Sequence, residues 1–256
     1  MLEWLTRGLR KGVVTSRYPR RAEPETAGFH GRVEVVGDDQ AAHAVETVCP
    51  TGAIRVSGGR VSLDRGLCIL CGACVTADPQ HFRYSSGFET ASRHRTGIVV
   101  GGLIEQRLEN SRPPLAVQAR PLRRSIHIRH VDAGSDGAEE WEIAALTNPY
   151  YDMQRLGLYF TLSPRHADVL LVTGGVTASM TKPLERAYEV MPAPKAVVAA
   201  GTDACSGGFA TATGEVAGGV DQILPVDVFI PGSPPSPITL LHGLLLAAGI
   251  VTEDSA

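Results

Sequence analysis

The sequence contains no apolar run long enough to cross a bilayer. Its longest run, Leu240–Val251, is interrupted by His242, and it falls short of the roughly 20 residues that a membrane-spanning helix needs. Residues 1–14 alternate leucine and tryptophan with charged side chains, which is unlike a secretory signal. We therefore expect a cytoplasmic protein, in which five cysteines favour metal binding or redox chemistry over disulfides.

Aromatic residues and net charge are also scarce. Aromatic side chains make up 5% of the 256 residues and the formal net charge is -3, so we expect no nucleic-acid partner. The Gly-x-Gly-x-x-Gly fingerprint, a phosphate-binding loop and the Gly-x-Ser-x-Gly elbow are all missing, which argues against a nucleotide cofactor and against a hydrolase serine. With 43% hydrophobic residues, the chain is long enough for two globular domains.

Four of the five cysteines form the motif that carries the clearest chemistry. Cys68, Cys71 and Cys74 follow a Cys-x2-Cys-x2-Cys spacing, and Cys49 stands upstream, followed by proline. Iron-sulfur clusters of ferredoxins take three thiolates from such a tight loop and a fourth from a distant Cys-Pro pair. We therefore predict one 4Fe-4S cluster with these four cysteines as iron ligands. A zinc ion held by four thiolates is the competing interpretation, and a cysteine set without metal is a third.

A second cluster site is missing from the same pattern. Two-cluster ferredoxins repeat Cys-x2-Cys-x2-Cys-x3-Cys-Pro, and each run gives three ligands to one cluster and its fourth to the other. Counting back from Cys49 and forward from Cys74, four expected cysteines are replaced, and all four belong to the same cluster. The residues at these positions are Asp39, Ala42, Val45 and Asp78. The sequence therefore predicts one intact cluster site and one erased site.

The first part of the chain is predicted to comprise an N-terminal helix and extended arm, residues 1–31, and a single-cluster, ferredoxin-like α+β domain, residues 32–108. Met1–Val14 has leucines at helical spacing and basic residues elsewhere, which predicts an amphipathic helix. This helix either packs on its own domain or a neighbouring subunit, or lies on a membrane surface. The further predicted elements are an extended segment at Arg17–Phe29, a short helix at Ala41–Val48 and strands at Ala53–Val56 and Arg60–Leu63.

A proline- and arginine-rich segment, residues 109–124, lacks hydrophobic periodicity and predicts a linker. Its arginines are either solvated or face an acidic partner.

In residues 125–256, apolar runs alternate with helical patterns, which predicts an α/β domain with a doubly wound, flavodoxin-like parallel sheet. Strands are predicted at Ser125–Val131, Ala167–Thr173, Lys195–Gly201 and Val226–Ile230, and helices at Glu139–Leu146, Thr181–Met191 and Pro235–Ala248. The ligand site of such a sheet lies at the carboxyl ends of its strands.

Three phrases of this second domain carry a family resemblance. They are Ser163–Gly174, Met191–Lys195 and Pro225–Gly232, the last followed closely by Pro234-Pro235. These phrases resemble the small iron-sulfur subunit of membrane-bound nickel-iron hydrogenases and of formate hydrogenlyase and, more distantly, the 20-kDa subunit of NADH:quinone oxidoreductase. The N-terminal part resembles the separate ferredoxin-like subunit of the same complexes. The resemblance therefore implies a fusion of two subunits.

In that family, four cysteines of the α/β domain hold a proximal 4Fe-4S cluster, and the resemblance implies that each is replaced here. The replaced positions are Asp136, Glu139, Asp203 and Ser233. Three carboxylates gathered at one spot would raise at least one pKa by mutual repulsion or bind a hard cation. The alternatives are a hydrogen-bonded, water-filled pocket that only preserves the scaffold, and a proximal cluster held through oxygen. Cys205 is expected to be a buried small residue.

The resemblance also implies that the chain works in a membrane-associated, hydrogenase-related or complex I-related assembly at the inner face of the cell membrane. Its partners would be a hydrogenase large-subunit-like protein and the membrane subunits. Glu140 and Glu142 either face the large-subunit-like protein or are solvated surface residues. Membrane contact would be indirect or through the N-terminal helix. One hypothesis is an electron-transfer subunit of an oxidoreductase complex, without catalysis of its own. The other is a structural or coupling subunit of a degenerate complex, redox-inactive or handling protons or ions, in which the cluster is a fold staple.

Overall fold

The computed structural model describes residues 3–21, 23, 28–36, 43–101, 112–118 and 125–253. Its first element is helix α1, Glu3–Lys11, which lies within the predicted Met1–Val14. Gly12 follows with a φ of 64°, a left-handed conformation that ends helices and that glycine adopts without strain. No side chain of α1 is buried. The predicted amphipathic helix is therefore confirmed, and it does not pack on the described part of its own chain.

Two small antiparallel sheets form the region around the cysteines. The elements are β1 (Arg32–Val35), a 3-10 helix (His43–Val48), β2 (Ile54–Ser57), β3 (Arg60–Asp64), α2 (Ala73–Ala77), β4 (Phe82–Ser85) and β5 (Val99–Gly101). Strand β1 pairs with β4, and the other sheet has the order β2-β3-β5. The β2–β3 hairpin turns at Gly58 and Gly59, both with positive φ, as type I′ turns require. The hairpin is thus confirmed, whereas a ferredoxin-like fold for this region stays a prediction.

The rest of the described chain is built on a five-stranded parallel sheet. Its elements are α3 (Leu115–Gln118), β6 (Ile126–Asp132), α4 (Ala138–Ala145), β7 (Leu158–Phe160), β8 (Val169–Thr173), α5 (Ala178–Glu189), β9 (Ala196–Ala200), α6 (Thr202–Ser206), β10 (Val228–Ile230) and α7 (Pro237–Ala248). The order is β7-β6-β8-β9-β10, with every pair parallel. Numbered along the chain, the strands run 2-1-3-4-5, which is the doubly wound, flavodoxin-like order. The predicted parallel sheet is confirmed.

Helices cover both faces of this sheet. Every residue of α7 is buried, and the helix shares one apolar core with Ile128 of β6 and Leu171 of β8. On the other face, Leu184 of α5 shares a second core with Leu170 of β8. Strands β8 and β9 are buried along their whole length, which explains why they read as continuous apolar runs.

Two elements differ from the sequence prediction. Strand β7 was not predicted, because it is a three-residue edge strand in which Tyr159 and Phe160 are exposed, so it carries no continuous buried pattern. Helix α5 begins at Ala178 rather than at Thr181, and Pro183 therefore lies inside it. The prediction placed proline at the helix start because its missing N–H costs nothing there. In the structure the helix begins five residues before Pro183, which therefore lies in its second turn.

Residues 88–98 and 112–118 attach the first part of the chain to the edge of the parallel sheet. The Ser92 N–H donates to the Phe229 carbonyl at 3.0 Å, which extends the sheet by one antiparallel bridge at β10. Arg112 Nε donates to Asp227 Oδ1 at 2.8 Å. The expectation of solvated or partner-facing arginines is thus wrong for Arg112, because the buried Asp227 of the same chain requires a counter-charge. Most of the predicted linker lies outside the described residues.

Candidate functional site

The cysteine loop lies between strand β3 and helix α2. Cys68 and Cys71 precede α2, and Cys74 lies within it. Gly72, the residue before the helix, has a φ of 75°, and a Cβ placed on it would lie 2.1 Å from the Tyr84 hydroxyl. Tyr84 in turn donates to the Leu70 carbonyl at 3.1 Å. The sharp turn that brings the cysteines together therefore depends on glycine and is held from β4.

The four predicted ligands interact electrostatically. Burial raises the pKa of the Cys68 thiol to about 11, opposed by the Leu70 N–H, and the charges of Cys74, Cys49 and Cys71 raise it further. Burial likewise raises the pKa of Cys74, with added contributions from Cys49 and Cys71. Burial therefore contributes more to both shifts than the charges of the other cysteines do.

Cys49 reaches this group from the end of the 3-10 helix at His43–Val48. The Ala53 N–H donates to its Sγ at 3.3 Å, and the Thr51 hydroxyl lies 3.4 Å from the same sulfur. Burial raises the pKa of this thiol, but the hydrogen bonds from Thr51 and the neighbouring N–H groups outweigh it, so the pKa lies below its usual value. Such hydrogen bonds stabilise the thiolate, which is the form that binds iron.

This donor set fits a cationic iron-sulfur centre. Four mutually repelling thiolates are stabilised by a positive group between them, and N–H groups directed at sulfur are typical of cluster sites. Within the described ranges, no group of three or more histidine, cysteine, aspartate or glutamate side chains is arranged to hold a metal ion. The assignment of Cys49, Cys68, Cys71 and Cys74 as ligands therefore remains a prediction.

The cysteine loop touches the carboxyl-terminal edge of the parallel sheet. Thr202, the first residue of α6, donates its hydroxyl to the Cys68 carbonyl at 3.1 Å and lies at 3.1 Å from the Gly232 carbonyl. A cleft of about 390 Å³ runs between the two parts, lined on one side by Thr51 and Ile69 and on the other by Phe209. The cysteine loop therefore lies against α6, the helix that contains Asp203.

Three of the four positions predicted from the resemblance come together at this edge. Glu139, in the first turn of α4, is only 5% exposed, and a Cβ placed on Gly201 would lie 2.5 Å from its Oε1. Asp203 lies in the first turn of α6, and Asp136 precedes α4, where its Oδ1 accepts the Ala138 N–H at 2.9 Å. We call Asp136, Glu139 and Asp203 the carboxylate pocket.

The pocket disfavours negative charge. Burial raises the pKa of Glu139 from 4.5 to about 7; its own N–H lowers it, while the charges of Asp203, Asp136 and Glu140 raise it. Burial also raises the pKa of Asp203, with a further contribution from Asp136. Burial contributes more to these shifts than repulsion between the carboxylates does, and a proton-carrying role for the pocket stays a prediction.

The remaining predicted positions have different surroundings. Ser233 follows β10 and its side chain is exposed. Cys205 is 1% exposed and its Sγ lies 3.7 Å from the Ala199 carbonyl. Burial raises the pKa of Cys205 to about 12. Its predicted role as a buried small residue agrees with this environment.

A hydrogen-bonded network beside the pocket was not predicted from the sequence. The Thr173 hydroxyl, at the end of β8, donates to Glu140 Oε1 at 2.6 Å, and the Ser135 hydroxyl donates to Glu140 Oε2 at 2.7 Å. His130 Nε2 lies 2.9 Å from the Thr173 hydroxyl. Burial lowers the pKa of His130, and the Glu140 charge opposes this. Glu140 is therefore hydrogen-bonded within the site and is not simply solvated. The polar residues at the ends of the strands were the feature of the sequence that could have predicted this network.

Comparison with known proteins places the chain in a family. The sequence profile of the NADH ubiquinone oxidoreductase, 20 Kd subunit, matches residues 137–247. A probable membrane-bound hydrogenase subunit of Pyrococcus furiosus is 43% identical over 126 residues, which cover 49% of this chain and 75% of the relative. An uncharacterized protein of Methanocaldococcus jannaschii is 45% identical over 126 residues, 49% of this chain and 84% of the relative. The chain belongs to the 20-kDa subunit family.

A third relative matches a longer stretch of the chain. Formate hydrogenlyase subunit 7 of Escherichia coli K12 is 37% identical over 161 residues, which are 63% of this chain and 62% of that protein. This chain therefore spans less than two thirds of that relative's length. The named relatives belong to formate hydrogenlyase and to a membrane-bound hydrogenase, which supports a hydrogenase-related complex subunit.

Two solved structures resemble this member of the family. One is the archaeal membrane-bound sulfane sulfur reductase, with a TM-score of 0.46 and 29% identity over 53% of this chain and 77% of the matched chain. The other is an NAD+-reducing [NiFe]-hydrogenase in the H2-reduced state, with a TM-score of 0.41 and 18% identity over 49% of this chain and 93% of the matched chain. At these TM-scores neither match adds to the fold described above. Helices within the described ranges are all too short or too polar to cross a membrane.

Proposed function

We propose that this protein is the iron-sulfur subunit of a membrane-associated, hydrogenase-related or complex I-related assembly. It carries one 4Fe-4S cluster, held by Cys49, Cys68, Cys71 and Cys74, for electron transfer. The observation that carries this proposal is that Cys68, Cys71 and Cys74 lie on one tight glycine turn at the start of α2, in the spacing that ferredoxin clusters use. Family membership and the names of the relatives support the wider assignment.

A bound 4Fe-4S cluster supplies one-electron transfer, and the chain's residues define its surroundings. Cys74 is buried whereas Cys71 is exposed, so the Cys71 side is where a redox partner approaches. On the other side, Thr202 fixes the loop against α6 through the Cys68 carbonyl. The thiol of Cys49 is held by N–H donors that favour the thiolate. These features tune the potential through burial and hydrogen bonds to sulfur.

Exposed apolar side chains support a large-subunit-like partner at the same edge of the sheet. Trp141 on α4 is 80% exposed, Leu162 after β7 is 90% exposed, and Phe209 beside the cleft is 58% exposed. Large apolar side chains that are exposed to solvent are typical of protein interfaces. The membrane subunits of the complex are further partners, and the chain is peripheral to the membrane.

Iron and acid-labile sulfide content, measured anaerobically together with the EPR spectrum of the reduced protein, tests this proposal. About four irons per chain and one cluster signal are expected, since one Cys-x2-Cys-x2-Cys loop and one Cys-Pro pair remain. About eight irons would refute a single cluster. Zinc without iron would refute the cluster itself.

A pair of cysteine variants tests the ligand assignment. Cys49→Ala should abolish the EPR signal and lower the iron content, because the fourth thiolate is lost. Cys205→Ala is the matched control, since Cys205 is buried away from the loop against Ala199, and it should keep the full signal. A signal that survives the first change and disappears with the second would contradict the assignment.

A structural or coupling role is the second candidate, and the carboxylate pocket favours it. If the positions of Asp136, Glu139 and Asp203 once held a second cluster, its loss lengthens the electron path, and the remaining cluster serves as a fold staple. A group with a pKa of about 7, such as Glu139, suits proton handling instead. Reduction of the cluster in the purified complex distinguishes the two candidates. In an electron-transfer subunit, the complex's own electron donor reduces the cluster within the turnover time. A fold staple is reduced only by dithionite, and the associated large subunit lacks nickel.

A further inference from the structure

Helix α1 carries an apolar face that nothing in the described part of the protein covers. Leu5 and Leu9, one turn apart, are 42% and 77% exposed. Trp4, about 100° around the helix from Leu5 and next to Lys11 on the helix surface, is 74% exposed. Large apolar side chains at helical spacing are stabilised when an apolar medium covers them. The face therefore calls for an occupant outside the described chain.

The opposite face and the loop that follows are strongly cationic. Arg7, Arg10 and Lys11 lie on α1 and are exposed. Residues 1–21 contain six basic residues and one acidic residue, a net of +5, whereas the whole chain carries -3. The remaining residues therefore carry -8, so positive charge is concentrated at this end. The charge pattern selects an anionic occupant.

The segment that follows this helix is fixed to the rest of the protein by hydrogen bonds. The Thr15 hydroxyl donates to the Pro149 carbonyl at 2.8 Å, and the Ser16 N–H donates to the Tyr150 carbonyl at 2.8 Å. Tyr18 is 2% exposed, and its hydroxyl donates to Glu89 at 2.8 Å. The chain is therefore anchored at Thr15 and Ser16, three residues beyond Gly12, to the segment that follows α4.

We propose that α1 binds an anionic lipid surface, with Leu5 and Leu9 inserted at the level of the headgroups and Arg7, Arg10 and Lys11 contacting lipid phosphates. An apolar face, a basic face and a tryptophan at their border are typical of helices that lie in the membrane interface. Nine residues give a length of about 14 Å, so the helix lies on the surface. A lipid surface engages both faces at once, whereas an apolar protein groove would leave the basic face unused.

This inference deepens the proposed membrane-associated role and is independent of the iron-sulfur cluster. Vesicles of phosphatidylcholine mixed with phosphatidylglycerol should co-sediment with the purified protein at low ionic strength, and vesicles of phosphatidylcholine alone should not. Leu9→Glu, and separately the pair Arg10→Glu and Lys11→Glu, should each lower the partition coefficient at least ~10-fold. Val117→Glu, the same kind of change at a residue 72% exposed on α3, is the control and should leave it unchanged.

Tryptophan fluorescence reports on the helix directly, because the chain has two tryptophans, Trp4 and Trp141. In a Trp141→Phe background, the remaining emission should shift to the blue when mixed vesicles are added. Absence of binding to mixed vesicles, or binding that Leu9→Glu does not weaken, would overturn the proposal. Iron content measured on the same samples separates this failure from a failure of the cluster assignment.

Discussion

Replacing Glu139 by glutamine should stabilise the folded protein at about pH 8 and change its stability little at about pH 5. Glu139 is 5% exposed, and burial is the main reason that its pKa rises from 4.5 to about 7. The folded state thus holds the proton more tightly than the unfolded chain. The carboxyl contributes full stability below pH 4.5, and this contribution is lost as the pH rises through about 7.

The magnitude follows from the two pKa values of Glu139, 4.5 and about 7. Their difference corresponds to an upper limit of about 3 kcal/mol, because each pKa unit is worth about 1.4 kcal/mol. Water that enters the pocket and small movements of Asp136 and Asp203 weaken the penalty on the charged carboxylate. We therefore expect Glu139→Gln to raise the free energy of unfolding at pH 8 by about 1–3 kcal/mol. Glutamine keeps the size of the side chain and has no charge, so it does not carry the penalty at any pH.

Urea denaturation of the wild type and of Glu139→Gln at both pH values measures this gain. Glu185→Gln, on the exposed face of α5, is the matched control and should give the same small change at both pH values. Equal effects of Glu139→Gln at pH 5 and pH 8 would refute a charge penalty in the carboxylate pocket. A loss of stability at pH 8 would show that the Glu139 carboxylate is stabilised there by a bound cation or proton donor.

Two further predictions concern the connection between the two parts and the cysteine loop. Arg112→Ala should lower the free energy of unfolding, measured by urea denaturation, by about 2–3 kcal/mol, because it leaves the buried Asp227 without its counter-charge. A loss below about 0.5 kcal/mol would contradict this role. Gly72→Ala should reduce the iron retained per chain, because its φ of 75° and its contact with Tyr84 exclude a Cβ. Gly52→Ala, also at positive φ but with open space around it, should retain wild-type iron, and equal losses in both variants would argue against the Tyr84 contact.

The strands of the parallel sheet were predictable because their signal is local. Val169–Thr173 and Ala196–Ala200 are buried on both faces, so every side chain in them is apolar or small. The hairpin at Gly58-Gly59 was equally predictable, since a type I′ turn demands this dipeptide locally. Strand Leu158–Phe160 escaped prediction because an exposed edge of three residues imposes no such pattern.

The sequence by itself determined the cysteine spacing and the amphipathic character of α1, because each depends on residues a few positions apart. Only the tertiary structure decided that Thr202 holds the Cys68 carbonyl, although 134 residues separate them. It also decided that Glu140 bridges Ser135 and Thr173, and that burial more than repulsion raises the pKa of Glu139. These contacts arise where the carboxyl ends of β6, β8 and β9 meet at one edge of the sheet. At that edge the order of the strands, and not separation along the sequence, determines which residues are close in space.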